Sequence, residues 1–421
     1  MSQENELEGY TGPIRKKLME LNIKIWNRIR ISSEKGVYEG ILLPRTEFDA
    51  PNYYYLKLDN GYNVGIKYEP NQKIEVLGYQ KGEYKLPEKS VKYDKNKPNI
   101  ILLGTGGTIA SRLDYRTGAV LPAFSPAELL TAVPELENIC NLNTKLVFEL
   151  LSEDMTPERW AKLGEEVAYQ INNEHVDGVI IGHGTDTMTF TGTALSLMLK
   201  ELPVPVVLVG SQRSSDRPSS DSAMNLIHAA YIAAKSDIAE VVICMAGSSN
   251  HKFGYIHRPG LCRKMHSSRR DTFKTIGAIP LGKIENDKIE IYYKDYNKRK
   301  KGKNNKVILD NKFDPKIALV YHYPGIKPDI IENLIKNDYH GIVIAGTGLG
   351  HISKNLLEPC KKAIENNIAV VMTVQTLWGF TQMYVYDTGR DLMHMGIIPA
   401  ENMLPEVAYI KLGWALGQAK D

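Results

Sequence analysis

The chain has 421 residues, 52 Lys and Arg against 49 Asp and Glu, a formal charge of +3, and 43% hydrophobic residues. That length can hold two or three domains, and the charge balance excludes both a disordered chain and a surface coated for general nucleic-acid binding. The four cysteines, Cys140, Cys244, Cys262 and Cys360, stand far apart without metal-ligand spacing, which argues against a disulfide framework and against zinc. Cys244, within "VVICMA", reads as a small buried apolar residue. The start, "MSQENELEGY", lacks the apolar core of a leader, and no apolar run nears the ~20 residues of a membrane span, so the expected location is cytoplasmic.

Residues 1–95 read as a small β-barrel. "WNRIRIS" and "VYEGILL" are two of its strands, and no helix of any length is evident. In "YYYLKLDNGYNVGI", Tyr54, Leu56 and Leu58 alternate with Tyr55, Lys57 and Asp59, Asn60-Gly61 supplies a tight hairpin turn, and Tyr62, Val64 and Ile66 resume the alternation. Most of "QKGEYKLPEKSVKYDKNKP" is polar and Lys-rich, as in a linker. From 99 onward strands and helices alternate. Strand 99–104 precedes a helix near 125–133, whose Ser125, Pro126 and Glu128 fit a capping box with proline at the first helical position. The next helix starts at Thr156-Pro157 with Trp160, Leu163, Val167 and Ile171 on one stripe. Strands at 178–182, 205–210 and 240–245 follow, with a helix over 221–235. Such apolar strands, spaced by helices, predict a parallel sheet covered on both faces. Lys298 to Lys306 is nearly all basic or polar and reads as an exposed loop, local RNA attraction being the lesser reading. "KIALVYH", "GIVIAG" and "IAVVMT" are strands of a second α/β unit, with helices at 353–366 and 405–419. The fold class is therefore α/β behind a small β-barrel, divided as 1–95, 96–310 and 311–421.

Two strands end in hydroxyl-rich turns, "LLGTGGTIAS" and "GVIIGHGTDTMTF". Ligands of open α/β sheets gather at the carboxyl ends of strands. Phosphate is a poor ligand for the first turn: Gly104, Gly106 and Gly107 do not make GxGxxG, Ile109 standing at the third glycine, and no Walker lysine follows. Taken singly, the turn is a glycine turn with two capping threonines. Taken together, "TGGTIA" (105–110) and "HGTDTM" (183–188) resemble the paired signatures of bacterial-type asparaginases and glutaminases. The likeness extends through "LSEDMTPERW", "VPVVLVGSQR", "RRDTFKTIGAIPLGKI" and the segment 376–418, so it spans roughly 99–421, both α/β units.

By that resemblance Thr108 is the nucleophile, although either threonine of the first turn could attack. Thr185 and Asp186 belong to the activating and binding set, the lysine of "DTFK", Lys274, completes it, and Tyr115 sits on a loop that closes over the nucleophile. Ser152 and Glu153 match the pair that holds the substrate's α-carboxylate, with Glu where Gln is commoner. An alkyl hydroxyl needs a base, and a lysine with its ordinary pKa of about 10.4 serves only when shifted. Lys274, oriented by Asp186, would take a proton through Thr185 or water, Thr108 would attack the carboxamide carbon, and backbone N–H groups near Gly107 would hold the oxyanion. His183 reads as a structural hydrogen-bonder. Arg213, Asp216 and Arg217 read as a loop ion-pair set. His351, in "GTGLGHIS", stands where relatives with an intersubunit site place an asparagine, so a neighbouring copy's contribution stays open.

The barrel ahead of this body, with "GVYEGILLPR", "YYYLKLDNGYNVGI" and "GTGGTIASRLDYRTGAVLPAF", makes nearly the whole chain resemble the D-subunit family of archaeal glutamyl-tRNA(Gln) amidotransferases. That resemblance implies glutamine hydrolysis to glutamate and ammonia, with ammonia passed to a partner E-subunit that uses ATP and Mg2+ to amidate Glu-tRNA(Gln). It implies no cofactor in this chain, tRNA contact mainly through the partner, a homodimer core, and a heterodimer or heterotetramer. A free-standing L-asparaginase with the same site is the alternative. An idle scaffold would be expected to have lost one of Thr108, Thr185, Asp186 or Lys274, and all four are present.

Overall fold

The computed structural model describes residues 7, 9–33, 36–45, 52–59, 62–79, 93–106, 111–113, 120–122, 129–130, 132–213, 219–299 and 305–419. The first unit is a five-stranded antiparallel sheet of β1 (Asn27–Ser33), β2 (Gly36–Leu42), β3 (Tyr53–Leu58), β4 (Asn63–Lys67) and β5 (Lys73–Tyr79), in the order β4-β3-β2-β1-β5. The expected barrel is not closed: β4 and β5 form edges with no ladder between them among the described residues. A helix that the sequence pattern does not announce, α1 (Gly12–Glu20), covers one face. Its Ile14 and Leu18, one turn apart, pack with Tyr10, Ile29, Ile31, Tyr54 and Leu56. The Tyr10 hydroxyl donates to the Leu43 carbonyl at 2.9 Å, fixing the segment before α1 to the end of β2. Asn60 and Gly61 lie outside the described residues.

The second unit carries a mixed eight-stranded sheet. Its parallel part comprises β6 (Asn99–Gly104), β7 (Asn141–Leu146), β8 (Gly178–Gly182), β9 (Val206–Val209) and β10 (Val241–Ala246). An antiparallel edge is added by β11 (Gly254–His257), and, beyond β12 (Cys262–Lys264) and β13 (Phe273–Thr275), by β14 (Gly282–Glu285) and β15 (Lys288–Ile291). The order is β15-β14-β11-β10-β9-β8-β6-β7. Helix α2 (Pro157–Asn172) starts with Thr156 accepting from the Arg159 N–H, and the predicted stripe, Trp160, Leu163, Val167 and Ile171, is buried. It shares one face's core with α3 (Met188–Met198), while α4 (Ser222–Lys235) covers the other face, where Cys244 is buried as expected. Ser125, Pro126 and Glu128, the expected capping box, lie outside the described residues.

The chain leaves this unit near 310, where Asp310 N–H bonds the Met198 carbonyl. The third unit is a four-stranded parallel sheet: β16 (Ile317–Tyr321), β17 (Gly341–Gly346), β18 (Ala369–Val374) and β19 (Ile398–Pro399), in that order. Helices α5 (Asp329–Lys336), α6 (Leu357–Glu365) and α7 (Asp387–His394) accompany it. The last helix, α8 (Pro405–Gln418), ties the units together: Ile410 enters the core around α2 and α3, and the Trp414 indole donates to the Asp310 carbonyl at 2.9 Å. All four cysteines are buried and free. Among the described residues no helix is long and apolar enough to cross a membrane.

Candidate active site

The chain runs from β6 outward to β7, then returns to the far side of β6 as β8. The carboxyl ends of β6 and β8 therefore flank a topological switch point, where open α/β sheets bind ligands. Both hydroxyl-rich turns sit there. Thr105 joins them: its N–H and its Oγ1 each bond the Gly182 carbonyl at 3.0 Å, and its side chain is buried. The first hydroxyl of TGGT is thus a fastener between neighbouring strand ends. Gly107, Thr108 and Tyr115 lie outside the described residues.

Two glycines let a third segment press against the turns. Gly106 has φ +105°, and a Cβ there would stand 2.1 Å from the Leu150 carbonyl oxygen. On Gly184 a Cβ would stand 2.7 Å from Ser152 Cβ and 2.8 Å from its Oγ. Real side chains do not tolerate such approaches, so glycine is required for the segment from Leu150 to Ser152 to abut both turns. The Thr187 hydroxyl then donates to the Ser152 carbonyl at 2.5 Å. Ser152 is buried beside the HGTDT turn, while Glu153, next along, is exposed.

The lysine at the turn is not the expected one. Lys264 Nζ donates to Thr185 Oγ1 and to Asp186 Oδ1, both at 2.9 Å. The Lys264 side chain is 13% exposed and that of Asp186 69%, so the cluster opens to solvent on the carboxylate side. Lys264 ends β12, which pairs with β13 in the register Lys264↔Phe273 and Arg263↔Lys274. Directly opposed residues share a face, and successive residues alternate. Lys274 therefore shares the face of Arg263, opposite to Lys264, and its Nζ pairs with Asp271 Oδ2 at 3.6 Å. The structure thus brings Lys264, and not the expected Lys274, into contact with Thr185 and Asp186. No sequence signal of spacing distinguishes them; the strand register does.

On the far face of this hairpin, Arg263 Nε lies 3.5 Å from the buried Glu406 carboxylate in the first turn of α8. Ile276 packs there with Leu404 and Val407. The strand that presents Lys264 is thereby held by the third unit.

His183 is a hydrogen-bonder within the fold. Its Nδ1 lies 2.7 Å from the Gly184 carbonyl and its Nε2 2.8 Å from Thr191 Oγ1. Burial drives its pKa down to about 4, against the opposing pull of the Gly184 carbonyl, so the ring is neutral near pH 7. Of the expected loop ion-pair set, Asp216 and Arg217 lie outside the described residues, and Arg213 contributes its backbone. The carboxylate that holds Gln212 and Arg213 is Asp221, which no sequence motif singles out: it accepts from the Gln212 and Arg213 N–H groups at 3.0 and 2.9 Å and from Asn225 Nδ2 at 3.0 Å. His351 lies in the third unit, with Nδ1 3.3 Å from Thr388 Oγ1 and its ring edge-on to Tyr386. No cluster of three or more His, Cys, Asp or Glu able to hold a metal occurs among the described residues.

Comparison with known proteins assigns this architecture. Residues 99–297 match the asparaginase N-terminal family model, 316–421 the glutaminase/asparaginase C-terminal domain, and 23–77 the GatD N-terminal domain. A solved structure, the thermostable L-asparaginase from Thermococcus kodakarensis, superposes with TM-score 0.67 at 29% identity, over 77% of this chain and 94% of its own. The glutamyl-tRNA(Gln) amidotransferase D-subunit of Thermococcus kodakarensis is 48% identical over 93% of this chain and 88% of its own. The D-subunit of Pyrococcus furiosus is 48% identical over 96% and 92%, and that of Methanopyrus kandleri 44% over 99% and 92%. With an asparaginase-type body behind the N-terminal unit of those relatives, the chain belongs to the D-subunit family of glutamyl-tRNA(Gln) amidotransferases.

Proposed function

We propose that this chain is the glutaminase component of a tRNA-dependent amidotransferase, releasing ammonia from glutamine for the conversion of Glu-tRNA(Gln) to Gln-tRNA(Gln). The observation that carries the hydrolytic half is Lys264 Nζ within 2.9 Å of both Thr185 Oγ1 and Asp186 Oδ1, at the switch point of the sheet. Family membership and the N-terminal unit favour this reading over a free-standing asparaginase.

Thr108 supplies the attacking hydroxyl. Its oxygen bonds to the side-chain carboxamide carbon, and its proton passes by way of Thr185 to the Lys264 amine. The C–N bond then breaks, the proton leaves with the nitrogen as ammonia, and a threonyl ester remains. Water cleaves that ester to free glutamate and the hydroxyl. Asp186 holds the lysine toward Thr185, and Ser152 lines the carboxylate end of the substrate with Glu153 at its exposed rim. Gly107 lets the backbone approach the oxyanion, each well-aimed N–H lowering the barrier by about 3–4 kcal/mol. Tyr115 closes over the nucleophile. These steps need no cofactor here; ATP and Mg2+ serve the partner E-subunit, which binds most of the tRNA. A homodimer of this chain forms the centre of the assembly, which works in the cytoplasm.

The test is co-purification with a candidate E-subunit followed by an amidation assay. Glutamine-dependent formation of Gln-tRNA(Gln), with glutamine turned over faster than asparagine, is the expected outcome. Asparagine turnover exceeding that of glutamine, with no amidation in the presence of the partner, would leave the asparaginase reading standing.

A further inference from the structure

A chain of three buried side chains runs from α2 through α3 to His183, the first residue of the HGTDT turn. Trp160 Nε1, on α2, lies 3.1 Å from Thr191 Oγ1 on α3, which lies 2.8 Å from His183 Nε2. His183 Nδ1 lies 2.7 Å from the Gly184 carbonyl. Trp160 is 4% exposed, Thr191 0% and His183 1%. With the His183 ring neutral, as its burial keeps it, the donors and acceptors admit one arrangement. An indole N–H only donates and a carbonyl oxygen only accepts. The Gly184 carbonyl therefore accepts a hydrogen bond from Nδ1–H, the ring's other nitrogen accepts from the Thr191 hydroxyl, and Thr191 accepts from Trp160.

The consequence falls on the residue after Gly184. A trans peptide is planar, so fixing the Gly184 carbonyl fixes the Thr185 N–H on the opposite side of the same plane. Glycine itself offers little restraint, since its backbone can rotate among many states. The turn that carries Thr185 thus owes its orientation to a clamp from outside. We propose that Trp160, Thr191 and His183 act as a positioning chain that locks the Gly184–Thr185 peptide so that Thr185 meets Lys264 in a single orientation. The inference rests on reading Thr185 and Lys264 as the activating pair. Burial keeps the His183 ring neutral, as an accepting Nε2 requires, and both ring nitrogens are already engaged, which leaves the ring no part in moving substrate protons.

The test uses the full-length chain in the assembly in which the wild type hydrolyses glutamine. Thr191→Val removes the central hydroxyl at nearly constant shape. It should lower kcat about 10-fold, the loss of roughly one buried hydrogen bond, with KM within about 3-fold. Thr191→Ser should restore kcat to within about 3-fold of wild type. Trp160→Phe should cost less than Thr191→Val, and the double variant little more than Thr191→Val alone, because members of one chain are not additive. His183→Asn, which keeps a donor near the Gly184 carbonyl, should retain more turnover than His183→Leu. Should Thr191→Val fail to fold, Trp160→Phe and the imidazole 15N spectrum carry the test: Nε2 should stay unprotonated from about pH 5 to about pH 9. A wild-type kcat in Thr191→Val, multiplying losses in the double variant, or a proton on Nε2 would overturn the positioning chain. Lys264→Met separates the two ideas. Normal turnover there would overturn the activating pair itself, whereas loss there with normal kcat in Thr191→Val would overturn the positioning chain alone.

Discussion

Replacing Lys264 and Lys274 separately by Met distinguishes the lysine at the turn from the one on the opposite face of the hairpin. Lys264→Met removes both 2.9 Å contacts, to Thr185 and to Asp186, while keeping a side chain of similar length. If Lys264 receives the proton, its loss should lower kcat about 100- to 10,000-fold, the usual contribution of a positioned acid–base group, or about 3–5 kcal/mol of barrier. The stability change should be small. Asp186 is 69% exposed and rehydrates freely, so unfolding should shift by no more than about 1 kcal/mol. Lys274→Met loses a 3.6 Å pair whose acid keeps both bonds from Arg269, at 3.0 and 2.9 Å. Turnover there should stay within about 2-fold, and stability within about 1 kcal/mol. The assay is ammonia release from glutamine by the full-length chain with its partner, alongside a urea melt of each variant. Collapse of turnover in Lys274→Met with Lys264→Met unaffected would refute the reading of the hairpin.

Three other outcomes are expected. Gly184→Ala should disrupt the junction of HGTDT with "LSED", since the new methyl would stand 2.7 Å from Ser152 Cβ; overpacking of that kind costs about 1–3 kcal/mol, and kcat/KM for glutamine should fall with it. Wild-type kcat/KM in a fully stable Gly184→Ala would refute the packing. Glu406→Gln weakens the hold on Arg263 and so loosens β12; about 1–2 kcal/mol of stability should be lost, with kcat reduced more than KM, and an unchanged melt would refute it. The pH dependence follows from three buried histidines: His183 and His228 are pushed down to about 4 and His257 to about 3, chiefly by burial. Their unfolded rings titrate near 6.5, so between the two values the unfolded chain binds more protons and stability falls as the pH is lowered. The contribution, at most about 3 kcal/mol for His183 and His228 and about 5 kcal/mol for His257, is complete above about pH 6.5 and lost as the pH drops toward 4, and toward 3 for His257. Melting temperatures that stay level from about pH 6.5 to about pH 5, above the range where most carboxylates titrate, would contradict this.

Periodicity makes most of the body legible. β8 spans the residues read as a strand, and Thr156 caps α2 where the Thr-Pro step places its start. The apolar strands are continuous because helices cover both faces, which is what the run of Val and Ile encodes. The N-terminal unit is less legible. α1 offers only Ile14 and Leu18 as a buried stripe, too short a signal for a 3.6-residue period, and closure of a sheet depends on its two edge strands meeting, which no local pattern records. Asp221 escapes for another reason: it is one acid among many polar residues, and only the fold turns its carboxylate on the Gln212 and Arg213 amides.

The lysine is the sharpest case. "CRKMHSSRRDTFKT" contains two lysines on neighbouring strands. A chemical rule asks only for an amine near the hydroxyl and the carboxylate, and both satisfy it on paper. The choice is made by parity. In an antiparallel pair with Lys264 opposite Phe273, every residue facing the turn lies an even number of steps from Lys264 on its own strand, or from Phe273 on the other. Lys274 is one step from Phe273 and faces away. Phe273, fully buried on Lys264's side, anchors that parity, because slipping the register by one would expose its ring and bury the Lys274 charge. The amine at the turn is thus selected by an apolar residue that has no chemistry of its own.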